Sequence, residues 1–166
     1  GGSVLINYGF RDSTLDIDAI IHASGAMKDA INLVGDKYDL PNNWLNSDFM
    51  KTSSYSDTLI EVSKYYRTFS NVVQIRTVDA EYLIAMKLKS GRKYKNDFSD
   101  IVGILREHEE NKSPITLDDI IKAVEKLYSS WESLPEDSRD FIYDIMKDKK
   151  YMEVFTKIRE EELQNK

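Results

Sequence analysis

Two aspartates one residue apart, in the string Thr14-Leu15-Asp16-Ile17-Asp18-Ala19-Ile20-Ile21, are the residues of this chain best suited to chemistry. Apolar and acidic residues alternate from Leu15 to Ile20, so with the period of a β-strand Asp16 and Asp18 project from one face. Same-face positions lie roughly 7 Å apart, near enough for two carboxylates to share hard cations such as Mg²⁺, which take oxygen ligands. A pair of metals about 3.5 to 4 Å apart is a common device for displacement at phosphorus. Upstream, Gly2 and Ser3 open a short helical pattern, Val4-Leu5-Ile6-Asn7-Tyr8, that stops at Gly9. A glycine and serine at a helix start leave backbone N–H groups bare at the positive end of the helix dipole, with room for a phosphate to approach. Each signal has a plainer reading. An Asp-x-Asp strand is often a solvated edge face, and Gly-Gly at a chain start is often an expression scar.

The elements that must position these residues come from a chain of 166 residues with a formal net charge of −6 and no cysteine. That length suits one domain, or one domain with a helical extension, able to bury roughly two thirds of its unfolded surface. Without cysteine there is no disulfide framework, thiolate metal site or cysteine nucleophile. The acidic balance argues against a protein that grips nucleic acid over its whole surface. A local exception is Lys87, Lys89, Arg92, Lys93 and Lys95, five cations within nine residues. They read either as a basic face or as a solvated helix end favoured by the dipole. No apolar run approaches the roughly 18 residues of a membrane span, and no secretory signal is evident, so a cytoplasmic protein without membrane contact is expected. The chain begins at Gly1, inside the motif, and the expectation is that an N-terminal helix and strand of the parent protein precede it.

In chain order, Thr14 to Ile21 is expected as the acid-bearing strand, ending at His22, and Ser24 to Tyr38 as an amphipathic helix with Ala26, Met27, Ala30, Ile31, Val34 and Tyr38 inward. After the break at Pro41-Asn42-Asn43, Trp44 reads as a core plug and Asn46 as a loop-capping amide. Leu59 to Val62 could form a strand within a stretch, Asp48 to Phe69, that is otherwise hard to read, and Asn71 to Val78 is a second β-rich run. Ala80 to Ser90 is a helix apolar nearly all round, capped by Gly91, with Lys87 embedded in it. A buried lysine must either pair with an acid or emerge toward an anion. Asp97 reads as the N-cap of the next helix, Thr116 and Asp119 as a capping box, and Pro135 as another helix start. Three C-terminal helical stripes follow, and the last helix leaves an acidic tail at Glu160-Glu161-Glu162.

The string Gly1-Gly2-Ser3 followed by Arg11-Asp12-Ser13-Thr14-Leu15-Asp16-Ile17-Asp18 resembles the G-G-[ST]…R-x-x-T-x-D-I-D signature of the nucleotidyltransferase fold, in the branch of bacterial abortive-infection nucleotidyltransferase toxins and their relatives. Leu40-Pro41-Asn42-Asn43-Trp44-Leu45-Asn46 resembles the same branch. So does a second signature, Glu81 with Leu83 and Lys87, then Arg92, Asp97 and Asp100. The resemblance implies an α+β fold with a mixed sheet, flanking helices and a helical C-terminal part, divided into a catalytic domain over 1–112 and an extension over 113–166. It implies transfer of a nucleoside monophosphate from a nucleoside triphosphate to a hydroxyl of RNA, protein or a small molecule, as in the toxin of a toxin-antitoxin system with a cognate antitoxin. Asp16 and Asp18 would hold Mg²⁺, Gly2, Ser3 and Arg11 the triphosphate, and Lys87 the departing phosphates, with Asp97 and Asp100 bracing nearby. One departure stands out: active members place a third acid on a later strand, where this chain has Gln74 or Arg76. The competing expectation is therefore a catalytically degenerate module that binds a nucleotide or a partner.

Overall fold

The computed structural model describes residues 16–22, 24–91 and 96–164 of a mixed α+β protein. The chain divides into two compact units, Gly1–Thr52 and Ser53–Lys166. Among the described residues, no helix is long and apolar enough to cross a membrane.

The first unit is a β-α-β arrangement. Strand β1 (Ile17–Asp18) is followed by helix α1 (Gly25–Tyr38) and then strand β2 (Leu45–Asn46). The strands pair in parallel, Ile17 opposite Leu45 and Asp18 opposite Asn46, which is why a crossover helix is needed between them. Strand β1 is much shorter than the Thr14 to Ile21 expected, and Thr14 and Leu15 lie outside the described residues. The pairing ends because its partner turns away. Ser47 Oγ donates to the Ala19 carbonyl at 2.7 Å, and the chain then winds into a 3-10 turn at Asp48–Lys51. Helix α1 starts as expected, with Ser24 Oγ accepting from Met27 N. Its inward stripe is narrower than expected: Met27, Ile31 and Gly35 are half-buried, whereas Ala26, Ala30, Val34 and Tyr38 are exposed. Trp44 explains the shift. Its indole Nε1 donates to the Ile31 carbonyl at 3.2 Å and lies 3.2 Å from where a Cβ on Gly35 would stand, so the ring packs on the helix where there is no side chain.

In the second unit, Leu59–Val62 forms a short helix, α2, instead of the strand expected. Leu59 is its buried anchor, and Ser56 just before it donates to the Leu127 carbonyl at 2.6 Å, so a turn held by a tertiary contact overrides the β-branched composition. Strands β3 (Lys64–Phe69) and β4 (Val73–Thr77) then form an antiparallel hairpin separate from the β1–β2 pair. Ser70 and Asn71 take φ of 48° and 55°, the mirror-image turn that matches strand twist.

The core is helical. It is built by α3 (Ala80–Ser90), α4 (Asp97–Glu110), α5 (Leu117–Tyr128), α6 (Glu136–Met146) and α7 (Tyr151–Gln164). Helix α3 packs on α4, α5 and α6, and α4 packs on α7, so helices on both sides of the expected 112/113 division share one interior. Ile84, Leu88, Ile101, Ile104, Ile120 and Ile142 are fully buried there. Phe98 of α4 stacks on Phe141 of α6 with ring centroids 4.1 Å apart. Helix α3 ends where expected, at Gly91 with φ 59°; a Cβ there would stand 3.2 Å from both Pro135 Cγ and Ser138 Oγ. The N-cap of α4 is Asn96, one residue before the expected Asp97, with φ 60°.

The expected capping box is formed at α5. Thr116 Oγ1 accepts from Asp119 N at 3.2 Å, and the Asp119 carboxylate accepts from Thr116 N at 2.9 Å. The hydrogen bonds from Thr116 hold the Asp119 carboxyl below its ordinary range. A depressed carboxyl stabilises the fold above its unfolded value, near 3.8, and this contribution fades as pH falls through the folded value. Thr116→Ala is expected to cost about 1 kcal/mol in urea unfolding at neutral pH. The difference from wild type should shrink once the pH drops below the folded Asp119 value; a difference that grows with acid would contradict the assignment.

Candidate functional site

The two candidate carboxylates flank the first strand of the parallel pair. Asp16 immediately precedes β1 and Asp18 ends it, and both are solvent-exposed. Backbone pairing fixes the register: Ile17 N donates to the Trp44 carbonyl at 2.6 Å and Ala19 N to the Asn46 carbonyl at 2.9 Å. With Ile17 and Ala19 both bonded toward β2, the intervening side chain of Asp18 and that of Asp16 are left on the same side of the strand.

Asn46, read from sequence only as a loop-capping amide, has two roles here. Its Oδ1 accepts from Asp48 N at 2.8 Å and its Nδ2 donates to the Asn43 carbonyl at 3.1 Å, which is the expected capping. The same Nδ2 also reaches Asp16 Oδ2 at 3.4 Å, coupling the second strand to the first carboxylate. Nothing in local sequence could give that contact, because Asn46 and Asp16 are 30 residues apart. His22 is exposed beyond the strand. Gly2, Ser3 and Arg11, the expected triphosphate ligands, lie outside the described residues.

The acid pair suits a hard cation. Among the described residues, no group of three histidine, cysteine or acidic side chains is placed to hold a metal ion. Two carboxylates with the remaining positions left to water and substrate phosphates are, however, the usual protein share of a Mg²⁺ site.

Lys87 belongs to the second unit and resolves the choice posed by its burial. Its Nζ donates to Asp97 Oδ1 at 3.1 Å and to Asp100 Oδ2 at 2.6 Å, with the lysine side chain 11% and each aspartate 3% exposed. Asp97 and Asp100 stand three apart on α4 and so share a helix face. The ammonium thus joins α3 to α4 through two charge-assisted hydrogen bonds. Lys89 is likewise engaged, donating to the Ser133 carbonyl and lying 5.3 Å from the Tyr128 ring centroid. The two described members of the basic cluster are therefore satisfied by the second unit itself, while Arg92, Lys93 and Lys95 lie outside the described residues.

Gln74 and Arg76, the residues at the expected third-acid position, lie on β4, in a sheet separate from the β1–β2 pair. Arg76 Nε donates to Ser63 Oγ at 2.8 Å, and Gln74 pairs with Thr68 across the hairpin. Asp79, the next acid, forms an ion pair with Lys64, which holds the lysine pKa above its ordinary value. Compared with protein-family models, curated proteins and solved structures, the chain matches none.

Proposed function

We propose that this protein is a nucleotidyltransferase-like, Mg²⁺-dependent nucleotide-binding protein that transfers a nucleoside monophosphate from a nucleoside triphosphate to a hydroxyl group. The observation carrying this reading is the placement of Asp16 and Asp18, both exposed and flanking Ile17 on the first strand of a parallel β-α-β unit. The resemblance of Gly1-Gly2-Ser3 and Asp16-Ile17-Asp18 to the nucleotidyltransferase signature supports it. Asp16 and Asp18 would hold the cation, and Asn46 donates to the Asp16 carboxylate beside it in the strand pair. Bound Mg²⁺ supplies neutralisation of charge on the triphosphate. Lys87, assigned by resemblance to the departing phosphates, is given to the α3–α4 contact, where Asp97 and Asp100 already hold it.

A second reading is a module that binds nucleotide without turnover. The occupation of β4 by Gln74 and by an Arg76 bonded to Ser63 favours it. One series of measurements separates the two. Calorimetric titration with each nucleoside triphosphate should show binding that requires Mg²⁺ and is lost in Asp16→Ala/Asp18→Ala; metal-independent binding, or none, would remove both readings. Labelled nucleotide should then appear on RNA, protein or a small-molecule acceptor if the protein is a transferase, and on none if it only binds. In a toxin with a cognate antitoxin, expression should arrest growth and Asp18→Ala should relieve the arrest; unaffected growth removes the toxin assignment.

A further inference from the structure

The β3–β4 hairpin carries a chemistry that the strand acids do not use. Between Lys64 and Val78 there are three cations, Lys64, Arg67 and Arg76, three aromatic rings, Tyr65, Tyr66 and Phe69, and no acid, within a chain of net charge −6. The rings are uncovered: Tyr65 is 58%, Tyr66 56% and Phe69 44% exposed. Three exposed rings within five residues set this ribbon apart from the singly exposed aromatic residues elsewhere among the described residues. The geometry of the ribbon is specific. Tyr65 pairs with Arg76 and Arg67 with Ile75, so Tyr66 is the extra residue of a bulge, a device that re-aims a side chain. The Arg67 guanidinium lies 5.1 Å from the Phe69 ring centroid, forming a cationic, planar platform. Of the other cations, Lys64 is paired with Asp79 and Arg76 is bonded to Ser63, so both are held in place beside the rings.

Lys64 is matched by Asp79, so the charge left for a ligand is that of the two arginines, which a phosphate backbone would neutralise. Outward-facing rings need flat partners. Bases offer such faces once they are unstacked, so the matching ligand is single-stranded. Six residues of strand span roughly 20 Å, room for two or three splayed bases.

We infer that the hairpin Lys64–Thr77 is a binding surface for single-stranded nucleic acid, with Tyr65, Tyr66 and Phe69 stacking on bases and Arg67 contacting the backbone. This goes beyond the transferase reading and needs neither nucleotide nor metal.

The test is fluorescence anisotropy of the full chain with labelled homopolymeric oligonucleotides of about 12 nucleotides, as single-stranded RNA, single-stranded DNA and duplex DNA, without Mg²⁺ or triphosphate. Single strands should bind more tightly than duplex and lose affinity as salt rises. RNA favoured over DNA would identify 2′-hydroxyl contacts, and equal affinity would identify stacking and charge alone; both agree with the inference. Tyr65→Leu and Tyr66→Leu keep apolar surface but remove the π-face, and each should weaken binding roughly 5- to 150-fold. Arg67→Gln should flatten the salt dependence by about 0.7 in slope. Circular dichroism checks that these exposed changes leave the fold intact. Preference for duplex, absence of binding by folded wild type, or full affinity in both leucine variants would overturn the inference.

Discussion

Replacing Lys87 by methionine is expected to destabilise the protein by about 3–5 kcal/mol, the cost of removing one partner from a buried charge cluster. The loss exceeds that of an ordinary surface ion pair because Asp97 and Asp100, each 3% exposed, would face one another without the ammonium between them. A methionine matches the lysine stem in length and helix propensity, so packing and backbone contribute little to the difference. Urea unfolding at neutral pH measures it. The triple variant Lys87→Met/Asp97→Asn/Asp100→Asn should recover part of the loss, since neither aspartate then carries a charge. A loss below about 1 kcal/mol would place the cluster among solvent-screened pairs and return Lys87 to the candidates for phosphate contact. The same protein reports on function: nucleotide affinity should fall only as far as the folded fraction falls if Lys87 is structural.

Leu88→Ala should cost about 2–5 kcal/mol, the range for emptying a fully buried aliphatic site. Leu88 is 0% exposed on α3, the helix against which α4, α5 and α6 all pack, so the surroundings have few ways to collapse into the space. Leu33→Ala on α1 is the matched control. Leu33 is 68% exposed, and the expected change is within about 0.5 kcal/mol. Parallel thermal and urea unfolding of both variants checks the contrast; equal losses would contradict a core centred on α3.

The charge cluster and the leucine show how far primary structure reaches. Ala80 to Ser90, Gly91 and the Thr116–Asp119 box are local in cause, since apolar periodicity, a left-handed terminal residue and a cap each act within four residues. They were legible for that reason. The hairpin's first strand was not, because Lys64–Phe69 buries neither face and so lacks the alternation by which strands are read. Leu59 to Val62 misled in the opposite direction: a β-rich tetrapeptide became helical once Ser56 was bonded to the end of α5, a contact spanning 71 residues.

In the candidate site, the sequence by itself determined that Asp16 and Asp18 share a side of the chain and that Lys87 lies too deep to be solvated. Those follow from strand period and helix burial, which depend on neighbours in sequence. Only the tertiary structure decided that Asn46 touches Asp16, that Asp97 and Asp100 take Lys87, and that Arg76 turns to Ser63. Each is a choice among polar partners far apart in the chain. Hydrogen bonds and ion pairs carry no periodic signature, so their partners are fixed only when packing brings the groups within about 3 Å.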